Sequence, residues 1–381
     1  MNLSAVTCVE DLRQLHKKRV PRAFFDYADR GSYSEQTLRA NRADLEAIKL
    51  RQRVLIDIAG RTTETVLLGD TISAPLALSP IGLGGLQYAD GEIHACRAAQ
   101  AAGVPYTLSI MSICSMEDVA AAVTKPFWFQ LSIMKDRGFV KSLVERAIAV
   151  GCDAIVLTVD LPVLAQRHAD IKNGMTVPPK WTLGKFFDFA SRPAWVMSVM
   201  SSERRTFRNL TAESGNGKIE SLAAWMAEQF NTSVTWKDVE WVRSIWPGKL
   251  LIKGIGDARD AGEVVRIGAQ GLVVSNHGGR QLDGGQSTIA MLPEIVDAVG
   301  VDLDVLMDGG VRSGQDVIRA LALGAKACMI GRAYIHGLGA AGQAGVAKAI
   351  ELICKEFDVT MGLTGVSRVA DIDRGILARM A

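Results

Sequence analysis

Short, nearly continuous apolar runs recur along this 381-residue chain, and from about residue 74 onward they alternate with longer amphipathic stretches. Runs of this length suit parallel strands that are buried on both faces of a sheet. Eight such runs lie at 76–81, 106–109, 127–132, 154–160, 250–255, 271–276, 304–310 and 327–332. Eight strand–helix units predict a closed α/β structure, the TIM (β/α)8 barrel, rather than an open doubly wound sheet.

The stretches between the runs carry the signals of helices. Ser115 is followed three residues later by Asp118, and Thr235 by Asp238, which is the spacing of a helix capping box. Helices are predicted over 91–103, 115–123, 136–151 and 314–324.

Two segments fall outside this rhythm within a single predicted domain, residues 1–381. Residues 1–73 look helical and then extended, and we expect them to cover a barrel spanning 74–381. Residues 171–234 interrupt the rhythm after strand four, and they are irregular in pattern and rich in Trp and Phe. Because this insertion is too long for a plain βα loop, we expect a functional or mobile element there.

Charge and cysteine content exclude several classes of protein. Lys and Arg total 43 against 41 Asp and Glu, so neither a nucleic acid nor an acidic partner is predicted. The six cysteines are scattered without a CxxC spacing, as in proteins of a reducing compartment. No apolar run resembles a signal peptide or reaches the roughly 20 residues that span a bilayer. We therefore expect a cytoplasmic chain, at most peripheral on the inner face of a membrane, without a metal site.

Polar residues cluster where the predicted strands end, which is where the active site of this fold lies. A buried charge must be paired, hydrated or bound to a ligand, so a ring of polar strand ends predicts a binding site. The ring comprises Ser79, Pro80, Gly82, Ser109, Gln130, Ser132, Thr158, Asp160, Lys253, Ser275, His277, Arg280, Asp308, Gly309, Gly310, Arg312, Gly331 and Arg332.

The last two strand ends have the composition of a phosphate site. Gly309, Gly310 and Gly331 allow backbone N–H groups to approach an anion, and Arg312 and Arg332 supply positive charge. Phosphate sites after strands seven and eight recur in this architecture. The alternative is a pair of ordinary tight turns, and the neighbouring Gly-Arg pairs favour the phosphate site over it.

Several motifs together resemble those of the FMN-dependent L-2-hydroxy acid oxidases and dehydrogenases. This family includes glycolate oxidase, flavin lactate dehydrogenases and mandelate dehydrogenase. The resemblance implies a TIM barrel that binds FMN, oxidises an L-2-hydroxy acid to the 2-oxo acid in the manner of a flavin lactate dehydrogenase, and forms a homotetramer. The motifs are SNHGGRQLDG (275–284), LIKG (251–254), DGGVRSGQDV (308–317), ALALGA (320–325) and IGR (330–332), and the likeness runs from Asp26 to Gly365.

The same resemblance assigns most of the ring to the cofactor. It implies that Lys253 lies beside the flavin ring, where a cation stabilises the reduced form. The other expected FMN contacts are Ser79, Pro80, Gly82, Ser109, Gln130, Thr158, Ser275, Asp308, Gly309, Gly310, Arg312, Gly331 and Arg332.

The resemblance also implies catalytic and substrate-binding roles. His277 would remove a proton from the substrate, either from the hydroxyl group or from C2, and Asp160 would stabilise the imidazolium. Arg280 would hold the substrate carboxylate at two points, assisted by Tyr27 and Arg167. The histidines without such a context are His16, His94, His168 and His336.

Position 132 departs from the family pattern. The third strand of the family normally ends Phe-Gln-Leu-Tyr, and that tyrosine helps to position the substrate, whereas Ser132 follows Leu131 here. Losing the ring opens space, so the departure predicts a substrate larger than lactate, a reduced activity or a residue altered by design. Ala165, which replaces a glycine common ahead of Arg167, is a lesser departure.

The sequence leaves alternatives open for the electron acceptor and for the class of reaction. Gly82 matches the dehydrogenases of the family, which favours a quinone or cytochrome acceptor over oxygen. A Schiff-base aldolase that uses Lys253 and a non-catalytic flavin-binding protein are rival interpretations. The GxGxxG stretch at 337–342 follows the eighth strand instead of opening a βαβ unit, so it predicts no dinucleotide site.

Residues 172–210 combine large apolar side chains with cations, as interfacial membrane segments do. The family's membrane-associated dehydrogenases carry their anchoring segment at this place, which favours a peripheral membrane contact. A lid or a subunit contact is the alternative. The apolar residues are Trp181, Phe186, Phe187, Phe189, Trp195, Val196, Met197, Val199 and Met200, and the cations are Lys180, Lys185, Arg192, Arg204, Arg205 and Arg208.

Overall fold

The N-terminal segment opens with helices and ends in a hairpin. The computed structural model describes residues 3–174, 183–210, 229 and 231–378. Helices α1 (Val9–Arg19), α2 (Arg22–Asp29) and α3 (Gln36–Ala47) come first. An extended stretch then leads to the hairpin β1 (Thr65–Leu67) and β2 (Asp70–Ile72).

Eight parallel strands, hydrogen-bonded in sequence order, form the barrel. The last strand pairs with the first, and a parallel bridge between Leu78 and Tyr106 joins the first to the second, so the predicted TIM barrel is confirmed. Several strands end two or three residues before the apolar runs do, because the polar residues that follow turn into loops. The strands are β3 (Leu76–Leu78), β4 (Thr107–Ser109), β5 (Trp128–Ser132), β6 (Ala154–Thr158), β7 (Lys249–Ile255), β8 (Gly271–Val274), β9 (Asp304–Met307) and β10 (Ala327–Ile330).

Helices follow the strands around the barrel. The predicted capping boxes at Ser115 and Thr235 are both present, each with its aspartate three residues later. The helices are α4 (Gly84–Gln87), α5 (Gly91–Ala101), α6 (Met116–Ala120), α7 (Arg137–Ala149), α8 (His168–Lys172), α9 (Leu183–Ala190), α10 (Pro193–Ser201), α11 (Trp236–Ile245), α12 (Ala258–Arg266), α13 (Thr288–Val299), α14 (Gly314–Ala322) and α15 (Arg332–Thr364).

The barrel interior and the surface beneath the helices form separate apolar clusters. Side chains alternate along a strand, so Leu251 and Val273 face the barrel axis while Ile252 and Leu272 face the helices. The hairpin residues Leu67, Leu68 and Ile72 belong to the interior cluster. The hairpin therefore packs against the barrel interior at the end opposite the polar strand ends.

The glycine-rich stretch 337–342 is a packing feature within α15. The helix is kinked at Ala341 and Gly342, whose φ angles are −150° and 60°. A Cβ atom on Gly337 would collide with the backbone of Gly345, and one on Gly339 would collide with the ring of His16. Glycine therefore allows the close packing of the two helix segments and of α1.

Within the insertion, residues 183–201 form the two helices α9 and α10, so the expected irregular structure is not found there, whereas residues 202–210 form turns and bends. Pro193 occupies the first turn of α10, where its missing N–H costs no hydrogen bond, and thus it begins a helix rather than interrupting one. Residues 175–182, with Lys180 and Trp181, and most of 211–230 lie outside the described residues. Among the helices that are described, none combines the length and the apolar character needed to cross a membrane.

Candidate active site

The predicted cofactor residues form the layer of side chains directly above the apolar barrel core. Lys253 follows the inward-facing Leu251 by two positions, and Ser275 follows Val273 in the same way. Because alternate side chains share one face of a strand, these polar groups point into the upper end of the barrel. The buried residues at equivalent strand ends are Ser79, Ser109, Gln130, Thr158 and Asp308.

Lys253 is held as a cation in this layer. Its Nζ donates to Ser275 Oγ at 2.9 Å and lies 3.0 Å from Asp308 Oδ2. Burial acts to lower the pKa of Lys253, but the negative charges of Asp308 and Asp160 raise it above its usual range. A Schiff-base lysine needs a lowered pKa, so this environment argues against the aldolase alternative.

Three polar atoms in the same layer lack partners. Ser79 Oγ, Thr158 Oγ1 and Asp308 Oδ1 are buried without a hydrogen bond to any described residue. Buried polar atoms in folded proteins are nearly always paired, so unpaired ones that line a cavity fit a polar ligand. The ring edge and the ribityl hydroxyls of FMN present complementary groups.

The strand ends of β9 and β10 fit a phosphate group. Gly309 and Gly310 have φ angles of 92° and 88°, and a Cβ atom on Gly310 would collide with the backbone of Asn41. Burial lowers the pKa of Arg312 and of Arg332 to about 10, so both remain charged at neutral pH. These residues line a cavity of about 130 Å³ in which positive charge and positive-φ glycines favour an anion.

His277 lies in an unusual left-handed turn after β8. Its φ angle is 56°, and those of Gly278 and Gly279 are 64° and 72°. A histidine in this region of backbone space is uncommon, and the conformation stores strain of about 1–3 kcal/mol, as functional sites often do. The turn brings the His277 ring beside Asp160.

A carboxylate orients this imidazole. His277 Nδ1 is 3.0 Å from Asp160 Oδ1 and 3.2 Å from its Oδ2. Burial acts to raise the pKa of Asp160, but His277 and Lys253 lower it, so the carboxylate is ionised. An ionised partner assigns the proton to Nδ1 and leaves Nε2 as an acceptor, which is the arrangement of a general base.

Arg280 is a partly buried cation that forms no ion pair with a carboxylate of the described residues. It lies 4.9 Å above the ring of Tyr27, and its Nη1 donates to the carbonyl oxygens of Tyr27 and Arg30 at 2.6 and 2.8 Å. Burial, followed by the charge of Arg167, lowers the pKa of Arg280 to about 9. Arg167 is paired with Asp170 at 2.9 Å, whereas no carboxylate of the described chain forms an ion pair with Arg280. Arg280 is therefore suited to an anionic ligand.

One cavity of about 1060 Å³ joins these groups. Ser132, His277 and Arg280 line its polar end, and Gln130 Nε2 donates to Ser132 Oγ there at 3.0 Å. The expected flavin contacts Gln130, Thr158 and Lys253 also line this cavity, so its volume includes space for the flavin ring as well as for a substrate. The apolar wall includes Phe24, Met111, Phe189, Phe207 and Trp236.

Sequence reasoning missed residues that shape this cavity. Phe24 lines it and stacks on Trp195 with ring centroids 5.3 Å apart, and Trp195 Nε1 donates to the carbonyl oxygen of Leu86 at 2.9 Å. Phe24 precedes Tyr27 by three residues, so helical spacing places both on one face of α2 and could have indicated it. Gln281, whose Nε2 donates to the Asp160 carbonyl oxygen at 2.9 Å, lies within the motif at 275–284, and this position was the signal that could have indicated it.

Fold and site together define an α/β-barrel enzyme that binds a phosphorylated cofactor and an anionic substrate. The family described as FMN-dependent dehydrogenase matches residues 16–379, and the chain belongs to that family. It is an FMN-dependent 2-hydroxy acid oxidoreductase.

Curated relatives match over the full length. The L-lactate dehydrogenase of Stenotrophomonas maltophilia strain K279a is 44% identical over 382 residues, which cover 100% of each chain. That of Vibrio cholerae serotype O1 strain M66-2 is 45% identical over 381 residues, again with full coverage of both chains. A solved structure of the monotopic membrane protein (S)-mandelate dehydrogenase superposes with a TM-score of 0.95 at 33% identity, covering 99% of this chain and 100% of that one.

Proposed function

We propose that this enzyme oxidises an L-2-hydroxy acid whose side chain is larger than that of lactate and passes the electrons to a quinone or cytochrome. The observation that carries the proposal is the cavity beside His277 and Arg280, where Ser132 lies at the family's tyrosine position. Its apolar wall suits an aromatic or long aliphatic side chain. Solved relatives described as mandelate enzymes act on an acid of that kind.

The cofactor would be held by the polar layer and the phosphate end. FMN, when bound, would supply the acceptor for the two electrons of the substrate and for the hydrogen that His277 does not take. Lys253 places a cation in the layer, and Ser79 Oγ, Thr158 Oγ1 and Asp308 Oδ1 are buried polar atoms that could form hydrogen bonds with FMN. Arg312 and Arg332 would bind the phosphate together with the backbone of Gly309, Gly310 and Gly331.

The substrate would bind between Arg280 and His277. A guanidinium presents two parallel N–H groups to a carboxylate, and Tyr27, flanked by Arg280 and Arg167, lies beside that position. His277 Nε2 would accept a proton from the substrate, and Asp160 would stabilise the resulting imidazolium. The pair therefore removes the proton while Arg280 fixes the acid.

Two helices of the insertion support a membrane contact and thus a membrane-soluble acceptor. Phe189 lines the cavity, and Trp195 stacks on Phe24, which also lines it. Phe186 and Phe187, by contrast, are 65% and 68% exposed. On α10, Met197 and Met200 are likewise exposed. Both helices therefore expose large apolar side chains to solvent, and such an exposed apolar surface suits the interfacial zone of a bilayer.

The substrate proposal is tested by anaerobic bleaching of the flavin with a panel of 2-hydroxy acids. We expect mandelate-like and long-chain acids to reduce the flavin with a higher kcat/KM than lactate or glycolate. A preference for lactate would contradict the proposal. The same reduced enzyme, mixed with a soluble quinone or with oxygen, shows which acceptor reoxidises it faster.

The membrane contact is tested by flotation with anionic liposomes. Wild type should float, and a Phe186→Ser/Phe187→Ser variant should float less while its flavin is reduced at the same rate. A Tyr33→Ser variant, which removes a 46% exposed ring outside the insertion, is the matched control. If wild type stays at the bottom, the helices are a lid or a contact in a homotetramer.

A further inference from the structure

A buried pair of histidines lies between α1, α2 and α15, and the proposed reaction does not use it. His16 and His336 are both 0% exposed, and their Nδ1 atoms are 3.1 Å apart. Phe25 packs against both rings, and Gly339 leaves room for the ring of His16. Neither histidine belongs to the described wall of the substrate cavity.

Hydrogen bonds determine where the protons of this pair lie. The Nε2 of Gln87 donates to the carbonyl oxygen of Phe24 at 3.0 Å, so its Oε1 accepts from His16 Nε2 at 2.8 Å. His16 Nδ1 therefore carries a lone pair, and His336 Nδ1–H donates to it. His336 Nε2 is left as a buried acceptor without a hydrogen-bond partner among the described residues.

The carboxylate of Asp29 faces this acceptor. Asp29 Oδ1 is 3.6 Å from His336 Nε2, which is too far for a direct hydrogen bond and too near for a water in line between them. Two acceptors thus face each other in a region shielded from water. A single proton on Nε2 would convert this contact into a buried ion pair.

The surrounding cations oppose that proton. Burial, the neighbouring ring of His16 and then the nearby arginines hold the pKa of His336 well below its usual range. Arg13 already binds both carboxylate oxygens of Asp29, at 2.7 and 2.8 Å, and so offsets much of its charge. The charged groups that face the pair are Asp29 and the cations Arg13, Arg19, Arg312 and Arg332.

We propose that His336 Nε2 takes up one proton from solvent when the FMN phosphate binds to Arg312 and Arg332. Arg332 lies one helical turn before His336 on α15, so a phosphate at Arg332 neutralises a charge that repels the imidazolium. The attraction of Asp29 is then less opposed. The inference rests on the proposed phosphate site.

The sign of the pH dependence follows. Binding raises the pKa of His336, so FMN binds more tightly as the pH falls through the pKa of the bound form. The gain in FMN affinity is complete once the pH is below the pKa that His336 has in the FMN-free protein. It is lost as the pH rises through the higher pKa that His336 has in the FMN-bound protein. The FMN phosphate itself titrates near pH ~6, which weakens binding at low pH equally in every variant.

The test is the release of FMN from the diluted holoenzyme, followed by flavin fluorescence from about pH 5 to about pH 8, the range in which histidine titrates. The effect of phosphate titration on FMN binding is the same in both proteins, so it is absent from the ratio of the Kd of His336→Gln to the Kd of wild type. We expect this ratio to rise as the pH falls, by up to about tenfold per pH unit for one linked proton. His94→Gln, a half-buried histidine on α5 outside the pair, should give a ratio that is independent of pH.

Two further variants keep the proposal testable if His336→Gln fails to fold. Asp29→Asn should abolish the linkage, because an amide can donate to neutral Nε2 and no extra proton is needed. Parallel pH profiles for wild type and either variant would overturn the proton uptake. Arg312→Gln tests the phosphate site on its own, since it should weaken FMN binding at every pH. If it does not, the phosphate assignment itself is wrong.

Discussion

The active-site cavity has two ends that are held in different ways. At the polar end, His277 is 3.0 Å from Asp160, and Lys253 is 3.0 Å from Asp308. At the apolar end, Phe24 and Trp195 are placed by ring stacking, and one hydrogen bond from Trp195 anchors the pair. Hydrogen bonds and ion pairs therefore position the side chains of the polar end, whereas apolar packing positions most side chains of the apolar end.

This difference separates two tasks of the enzyme, which are the oxidation of a 2-hydroxy acid and the selection among such acids by their side chains. Every 2-hydroxy acid presents the same carboxylate and hydroxyl group, so the polar end meets the same chemistry whatever the substrate. In the proposed binding mode, only the substrate side chain reaches the apolar end. Substitutions at the polar end should therefore lower turnover for all acids, and substitutions at the boundary with the apolar end should change their ranking.

The largest expected effect is that of His277→Gln. Glutamine cannot take a proton from the substrate, so kcat should fall by about 10²–10⁴-fold for every acid, while FMN stays bound. Stopped-flow measurement of flavin reduction reports this directly. His168→Gln, an exposed histidine at the start of α8, is the control and should reduce its flavin at the normal rate. Near-normal flavin reduction in His277→Gln would show that another group accepts the proton.

Arg280→Lys should have the next largest effect. Lysine offers a point charge in place of a planar fork and loses the bonds to the Tyr27 and Arg30 carbonyl oxygens, so KM should rise by about tenfold or more, or roughly 1.4 kcal/mol. Arg167→Lys is the matched comparison, and its effect should be smaller because Arg167 is already paired with Asp170. If the two variants behave alike in steady-state kinetics, Arg280 is not the principal carboxylate anchor.

The polar end could be predicted from the sequence because its residues follow local rules. Lys253 and Ser275 continue the inward-facing positions of apolar strands, and His277 with Arg280 lies in a motif that resembles the family. Strand periodicity therefore locates these side chains in space, and the resemblance suggests what they do. Their individual roles stay predictions until variants are measured.

The apolar end and the buried histidines were harder to predict, because they depend on contacts between distant segments. Phe24 on α2 meets Trp195 on α10, and His16 meets His336 although 320 positions separate them. No spacing rule connects such residues. The sequence gives these two histidines no functional context, because their context is the packing around Gly339, which only the folded chain supplies.

Ser132→Tyr should have the smallest effect on total activity and the clearest effect on ranking. Ser132 lines the polar end of the cavity beside Gln130, and a tyrosine ring there would fill part of the space that the substrate side chain crosses in the proposed binding mode. We expect the ratio of kcat/KM for mandelate to that for lactate to fall by about tenfold, which is within the range by which pocket size discriminates substrates. Ser132→Ala is the control, because it removes the hydrogen bond from Gln130 but keeps the space, and it should leave the ranking unchanged. If Ser132→Tyr leaves the ranking as in wild type, the apolar end is not where side-chain size is selected, and the proposed division between the two ends fails.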